Sequence, residues 1–242
     1  MKHIHRFFIT RPLGSGDTTF LDSDDSFHVS RVLHISPGEE VELVDPEGRI
    51  FMGSITKVGE KVQALAEYEV FAEEKSASLT VVQALTGGRK MDFIVEKLGE
   101  LGVERLIPAF TEKAVVKTYK TSDDKVARWR RISKAAASQS KRRTPMIIDK
   151  PILLSDWVSE FEEMSQTLVL EKDAGMLGDM IQLQSPPLVL VIGPEAGFSE
   201  IEYEKLKEAG AVFASLGRQV LRMETAAVVA SALVMHRMGV LG

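Results

Sequence analysis

The chain's 242 residues suffice for one large domain or two small ones, and its 44% apolar and 27% charged residues are those of a soluble globular protein. No apolar run reaches membrane-span length and the start, MKHIHRFFITRP, lacks a signal-peptide core, so no membrane is expected and cytoplasm is the expected compartment. The net charge of −5 gives no general affinity for nucleic acid, and the absence of cysteine excludes disulfides, cysteine-ligated zinc and the thiolate route to C5 methylation of a pyrimidine.

Arg6 to Thr10 reads as a first strand. Asp24 or Asp25 is placed to cap a short helix containing Phe27, Val29, Val32 and Leu33. Val41–Val44, Ile50–Val58 and Lys61–Phe71 read as strands parted by turns at Asp45-Pro46-Glu47-Gly48 and at Gly59, which predicts a small β-barrel or sandwich. Gly14-Ser15-Gly16 lacks the third glycine and the preceding strand of a dinucleotide site. The polar stretch Glu73–Ser78 is the expected linker, which divides the chain into residues 1–73 and 74–242.

Strand and helix then alternate. Leu79–Leu85 is a strand, Lys90–Leu101 a helix with Met91, Ile94, Leu98 and Leu101 at helical spacing, and Arg105–Phe110 a strand. Asp123–Lys141 is a long basic helix, Pro145–Ile148 is extended, Ser155 is placed to cap a helix to about Met164, and Leu168–Leu170 is a strand. Alternation of this kind predicts a mostly parallel α/β sheet with helices on both faces.

The densest stretch is Leu188 to Ala227. A buried strand, Leu188–Ile192, stops at the loop Gly193-Pro194-Glu195-Ala196-Gly197-Phe198. Ser199 and Glu202 then have capping-box spacing, and a helix runs to Ala209 before Gly210. A second strand, Ala211–Leu216, leads to Gly217 and a second loop, and the last helix begins near Met223. Two glycine-bearing loops after neighbouring strands fall where open α/β sheets place ligands, although each alone reads as an ordinary turn.

Charge is uneven. From Lys125 to Lys150 nine basic residues face Asp149 alone, a local excess of eight positive charges. This is either a solvated helix face or the footprint of a phosphate backbone, with Trp129 among the charges as a packing or stacking group. His3, His5, His28 and His34 crowd the start without recognisable metal-ligand spacing, so no metal is expected.

GPEAGF at Gly193–Phe198, followed by LGRQVLRMETA at Leu216–Ala226, resembles the C-terminal signature of the 16S ribosomal RNA uridine N3-methyltransferases of the SPOUT class. The resemblance runs through nearly the whole chain. It includes His28, Val32-Leu33 and Gly38, Met91-Asp92, Lys97, Glu100-Leu101-Gly102-Val103, Thr111-Glu112-Lys113, Val115-Val116-Lys117, and Ala137-Ser138-Gln139-Ser140-Lys141-Arg142. Departures are His34 for an arginine, Thr86-Gly87-Gly88-Arg89 for a lysine-glycine-aspartate sequence, Ser138 for an acidic residue, and Gln219 for an arginine. Ala196 stands for a glycine, which matters only where the backbone needs positive φ.

The resemblance implies an N-terminal PUA-like β-barrel that helps hold RNA and a C-terminal SPOUT α/β domain with a trefoil knot that binds S-adenosyl-L-methionine. Its cofactor contacts would be Leu170, Gly193, Pro194, Glu195, Gly197, Phe198, Leu216, Gly217, Val220, Leu221, Arg222, Glu224, Thr225 and Ala226. RNA contacts would be Arg6, His28, Arg31, Arg128, Arg130, Arg131, Gln139, Arg142 and Arg143. Arg222 or Arg142 would stabilise a uridine anion, because arginine is too basic to take a proton but pairs well with enolate-like oxygens. Glu195 or Glu224 would serve as base or positioning group, with helix capping as the plainer explanation of both. The last helix is apolar on nearly every face, which agrees with the homodimer implied by the resemblance. The expected partner is 16S ribosomal RNA within the small ribosomal subunit. A SPOUT enzyme acting on transfer RNA and a non-catalytic RNA-binding protein are the alternatives.

Overall fold

The computed structural model describes residues 4–71, 78–114, 123–160, 167–181 and 188–241. The chain divides into two compact units, one of Met1–Glu74 with Ala137–Thr144, the other of Lys75–Ala136 with Pro145–Gly242.

The first unit is a five-stranded sheet with β1 (His5–Phe8) and β2 (Thr18–Phe20) at its edges. Between β2 and β3 lie α1 (Ser23–His28) and a π-helical turn, Val29–Leu33. β3 (Glu40–Val44), β4 (Ile50–Lys57) and β5 (Gln63–Val70) form an antiparallel meander, β1 joins β3 in parallel, and β2 joins β5. Alternating inward residues such as Val41, Leu43, Phe51, Ile55 and Ala64 build its core. Asp22, not Asp24 or Asp25, is the cap of α1, and its Oδ1 accepts the Asp25 N–H at 2.8 Å. Asp24 and Asp25 instead fill the first helical turn, where acidic side chains oppose the positive helix end.

The segment Ala137–Thr144 joins this unit across a large gap in sequence. Arg6 is 7% exposed, donates to Glu42 at 2.8 Å and to the Arg142 carbonyl at 2.8 Å, and also reaches the Lys141 carbonyl. Lys141 Nζ returns to Glu42 at 2.8 Å. This compact unit thus reaches beyond residues 1–73 to a segment that the Arg6–Glu42–Lys141 cluster ties to β1 and β3. The expected linker, apart from Ser78, lies outside the described residues, as do His3 and Val115-Val116-Lys117.

The second unit is the predicted parallel sheet, of order β12-β10-β11-β6-β7-β8, with a further strand, β9, on β7. In chain order its elements are β6 (Leu79–Ala84), α2 (Lys90–Leu101), β7 (Arg105–Phe110), α3 (Asp123–Gln139), β8 (Ile147–Ile148), β9 (Ile152–Leu153), α4 (Leu154–Ser159), β10 (Thr167–Met176), α5 (Leu177–Met180), β11 (Leu188–Ile192), α6 (Glu200–Glu208), β12 (Val212–Ser215) and α7 (Met223–Arg237). Every ladder is parallel. One face of the sheet packs on α2, α3, α5 and α7 through residues such as Ile94, Trp129, Leu177 and Ala230. The other packs on α4 and α6 through Trp157 and Leu206. Near-continuous burial of β11 and β6 follows from helices on both faces. Ser155 is not the cap of α4: Leu153 holds that position, and the Ser155 hydroxyl bonds Asp156 at 3.3 Å.

Candidate active site

Three adjacent parallel strands, β12, β10 and β11, border a cavity of about 370 Å³, walled by the loops after β11 and β12 and by the middle of β10. That volume lies within the roughly 300–1,000 Å³ usual for small-molecule sites.

The first wall is the loop after β11. Gly193 allows Phe198 to close on it, since a Cβ there would stand 2.8 Å from the ring. The Gly197 N–H donates to the Pro194 carbonyl at 2.9 Å, and Gly197 takes φ +71, a conformation that suits glycine. Ala196 is not among the residues of positive φ, so its methyl costs nothing in backbone strain. The loop ends in a full capping box: Glu202 N–H donates to Ser199 Oγ at 3.1 Å, and Ser199 N–H to Glu202 Oε2 at 2.9 Å.

The second wall is the loop after β12. Ser215 Oγ accepts the Gly217 N–H at 3.1 Å and donates to the Lys172 carbonyl at 2.9 Å, which ties this loop to β10. Gly217 has φ +115. The third wall comes from β10 itself, with Leu170, Glu171 and Lys172. Only Leu170 was expected there, because two charged residues resemble a solvated loop more than the bulged continuation of a strand.

Leu170, Gly193, Pro194, Glu195, Gly197, Phe198, Leu216, Gly217, Val220, Leu221 and Ala226 all line the cavity. Arg222, Glu224 and Thr225 do not. Arg222 is the N-cap position of α7 with no side-chain cap, and Thr225 is exposed in the first turn. Glu224 turns toward Lys90, whose Nζ lies 3.8 Å away and makes a shorter ion pair with Glu195.

Lys90, the first residue of α2, is a further site residue that sequence reasoning missed, beside Glu171 and Lys172. The Glu195 hydrogen bond, with further attraction from Glu224, raises its pKa. Reciprocally, the Lys90 hydrogen bond and charge, with Arg222, hold the Glu195 carboxyl below the ordinary carboxylate range. Glu195 is thus an ionised partner to a lysine and a weak proton acceptor.

The expected RNA contacts separate into groups. Arg6 is buried, and its guanidinium donates to Glu42 and to two carbonyls. Arg130 spends Nε and Nη2 on the Ile148 carbonyl at 3.2 and 3.0 Å, and Arg128 pairs with Asp92 at 2.7 Å. Arg131 and Gln139 are exposed, Arg142 and Arg143 are half-buried in the first unit, and Trp129 is core. His28 and Arg31 are exposed around Phe27, which is itself 64% exposed. Among the described residues no three His, Asp or Glu side chains are grouped to hold a metal.

A family model described as an RNA methyltransferase domain matches residues 73–235. The ribosomal RNA small subunit methyltransferase E of Mycobacterium bovis is 31% identical over 93% of this chain and 88% of its own length. Among solved structures, the enzyme of that name from Neisseria gonorrhoeae, bound to S-adenosyl methionine, superposes with a TM-score of 0.89 at 29% identity, covering 97% of this chain and 98% of the other. A Legionella pneumophila methyltransferase in complex with the same cofactor superposes with a TM-score of 0.88 at 27% identity, over 98% of each chain. The chain belongs to the ribosomal RNA small subunit methyltransferase E family.

Proposed function

We propose that this protein methylates N3 of a uridine in 16S ribosomal RNA, with S-adenosylmethionine as the methyl donor. The observation that carries the reading is the cavity at the carboxyl ends of β11 and β12, walled by their glycine loops and by β10 between them. Its residues fit the cofactor: Leu170, Leu216, Val220 and Leu221 offer apolar surface to a purine, and a Cβ added at Gly197 would meet nothing within 4 Å. When bound, the cofactor supplies a methyl group on a positively charged sulfur.

The protein's own task is to prepare the acceptor. Uridine N3 carries a proton at neutral pH and is a poor nucleophile until that proton leaves. Release to solvent leaves the electron pair on the ring and negative charge on its oxygens, which a fixed cation stabilises. Arg222, close enough to Glu195 to lower its pKa, is one such cation. Glu224 is the carboxylate better suited than Glu195 to orient the acceptor, since its Oε2 accepts no hydrogen bond among the described residues.

The same reading includes a homodimer, a trefoil knot and the small subunit as substrate. For the dimer, Val229 and Leu233 form an exposed stripe on α7, 37% and 41% accessible, and Phe93 on the adjoining α2 is 44% accessible. For the knot, β12 lies beside β10 while α7 returns across β11 and β6. For RNA, the first unit presents Phe27, His28 and Arg31, and the second Lys125 and Arg131.

The test is mass spectrometry of 16S ribosomal RNA from a deletion strain and after complementation, together with calorimetry of the purified protein with S-adenosylmethionine. N3-methyluridine lost and then restored is expected, with a rate that rises through neutral pH. A methyl on carbon or ribose, or no cofactor binding, overturns the reading.

A further inference from the structure

Beyond the Pro194–Ala196 turn lies a second cavity of about 350 Å³, formed within the same unit. It shares Pro194, Glu195, Ala196 and Met223 with the first, so the two are separated by a single turn of chain. Its remaining walls are Leu85, Thr86 and Gly87 after β6, Lys90 on α2, and Lys113 after β7. Lys113 is held in place from two directions. Its Nζ donates to the Phe198 carbonyl at 2.9 Å, and the preceding Glu112 N–H donates to buried Glu202 at 2.8 Å. Lys90 is held by Glu195 and, at 3.8 Å, by Glu224. A third cavity shares Leu85, Thr86 and Gly87 with the second and carries Arg89, Lys125 and the Arg128–Asp92 pair. The glycines between them, Gly87 and Gly88, have open space where a side chain would stand.

We propose that the second cavity receives the target uracil, flipped out of its helix, and that Lys90 and Lys113 are catalytic residues which stabilise the base as its N3 proton leaves. The chemistry of the walls selects this occupant. Leu85 and Met223 give a planar ring apolar contact, and the two ammonium groups offer donors to the ring oxygens on either side of N3. When the N3–H bond breaks, its electron pair delocalises onto those oxygens and the proton passes to solvent. The charged residues lining this cavity are Lys90, Lys113 and Glu195, with Glu224 3.8 Å from Lys90 and the Arg222 charge acting on it from outside. Glu195 and Glu224 keep Lys90 protonated before substrate arrives, so its charge is in place when the uracil anion forms. The third cavity, with Arg89 and Lys125, takes the flanking phosphate. Cofactor, base and phosphate thus lie along one continuous path of shared walls.

The proposal rests on the uridine N3 reading, and the experiment separates their failures. Wild type, Lys90→Met, Lys113→Met and Lys90→Arg are assayed on isolated small subunits with product identification across pH. Calorimetry gives S-adenosylmethionine affinity, and RNA carrying 4-thiouridine is crosslinked and the attached peptides mapped. Lys113→Met should lose kcat about 10²-fold near neutrality with unchanged cofactor affinity, and recover as pH rises and the free uridine anion becomes available. Lys90→Met should behave likewise, and Lys90→Arg should retain part of the rate. Crosslinks should fall at Leu85–Lys90, Lys113 or Pro194–Ala196. If cofactor affinity also falls in Lys90→Met through the lost Glu195 pair, Lys113→Met and the crosslinks decide. A wild-type enzyme that makes no N3-methyluridine refutes the N3 reading. Wild-type product formed alongside an unshifted kcat–pH profile in Lys113→Met, or crosslinks confined elsewhere, refutes this assignment alone.

Discussion

Glu202 Oε1 accepts the backbone N–H of Glu112 at 2.8 Å, although the two residues are 90 apart in sequence. The same carboxylate completes the capping box of α6 through Oε2. One buried side chain therefore fixes both the start of α6 and the loop that carries Lys113. Glu202→Ala removes both acceptors and leaves buried N–H groups unpaired, at a cost of about 2 kcal/mol. Glu202→Gln keeps a single acceptor oxygen and should fall between. Urea denaturation checks the order, and an alanine variant with the wild-type midpoint contradicts it.

The glycine loops yield a sharper cofactor test than the obvious one. Valine at Gly197 would project into open space but would also have to adopt φ +71, which strains a β-branched residue. Ala226→Leu avoids that strain, because Ala226 is helical, half-buried and lines the cavity. S-adenosylmethionine affinity should fall at least about tenfold, or about 1.4 kcal/mol, with little change in melting temperature. Unchanged affinity in folded Ala226→Leu would move the cofactor elsewhere.

Much of this site is legible in the sequence because its signals are local. Ser199 and Glu202 name the start of α6, Gly210 ends it with φ +83, and α2, β7 and β11 have the bounds that their apolar periodicity gives. β2, β9 and α5 were missed because two to four residues carry no period. Asp22 is hard to single out because Asp24 and Asp25 offer the same chemistry two and three residues later. Lys90 was legible only as the first residue of a helix. Its partner Glu195 is 105 residues away, and only the parallel order β11-β6 brings the ends of those strands together. The burial of Arg6 is equally illegible, since an arginine early in a sequence resembles a surface cation until Glu42 and the Arg142 carbonyl are seen around it.

The exposed stripe on α7 gives a prediction about assembly. Val229→Glu with Leu233→Glu adds two charges to an apolar surface that, in the dimer reading, is buried against the partner. Light scattering should show monomer where wild type is dimeric at micromolar concentration. A wild-type protein that is already a stable monomer removes the dimer from the reading.

Acid stability should be governed in the first unit by Asp45 and Glu42. Burial alone would raise both pKa values, yet both are lowered. In Asp45 the Arg49 and Leu13 N–H groups and the Arg49 guanidinium outweigh burial, and in Glu42 the Lys141 and Arg6 side chains do so. A folded pKa below the unfolded one means that the native state holds its proton more weakly. The stabilisation is then present above the unfolded carboxylate range, near pH 4, and is lost as pH falls through the folded values. Asp45 should contribute more, because its side chain is fully buried at the Asp45–Gly48 turn and its Oδ2 meets Arg49 Nη2 at 2.7 Å. Asp45→Asn keeps the shape but loses the charge, and should lower stability by about 2 kcal/mol at pH 7. At an acid pH below the folded pKa the difference should shrink, since the wild-type carboxyl then carries no charge either. Chemical denaturation of both proteins at the two pH values measures this. A gap that stays the same at low pH would show that Asp45 acts through shape and not through its ionised form.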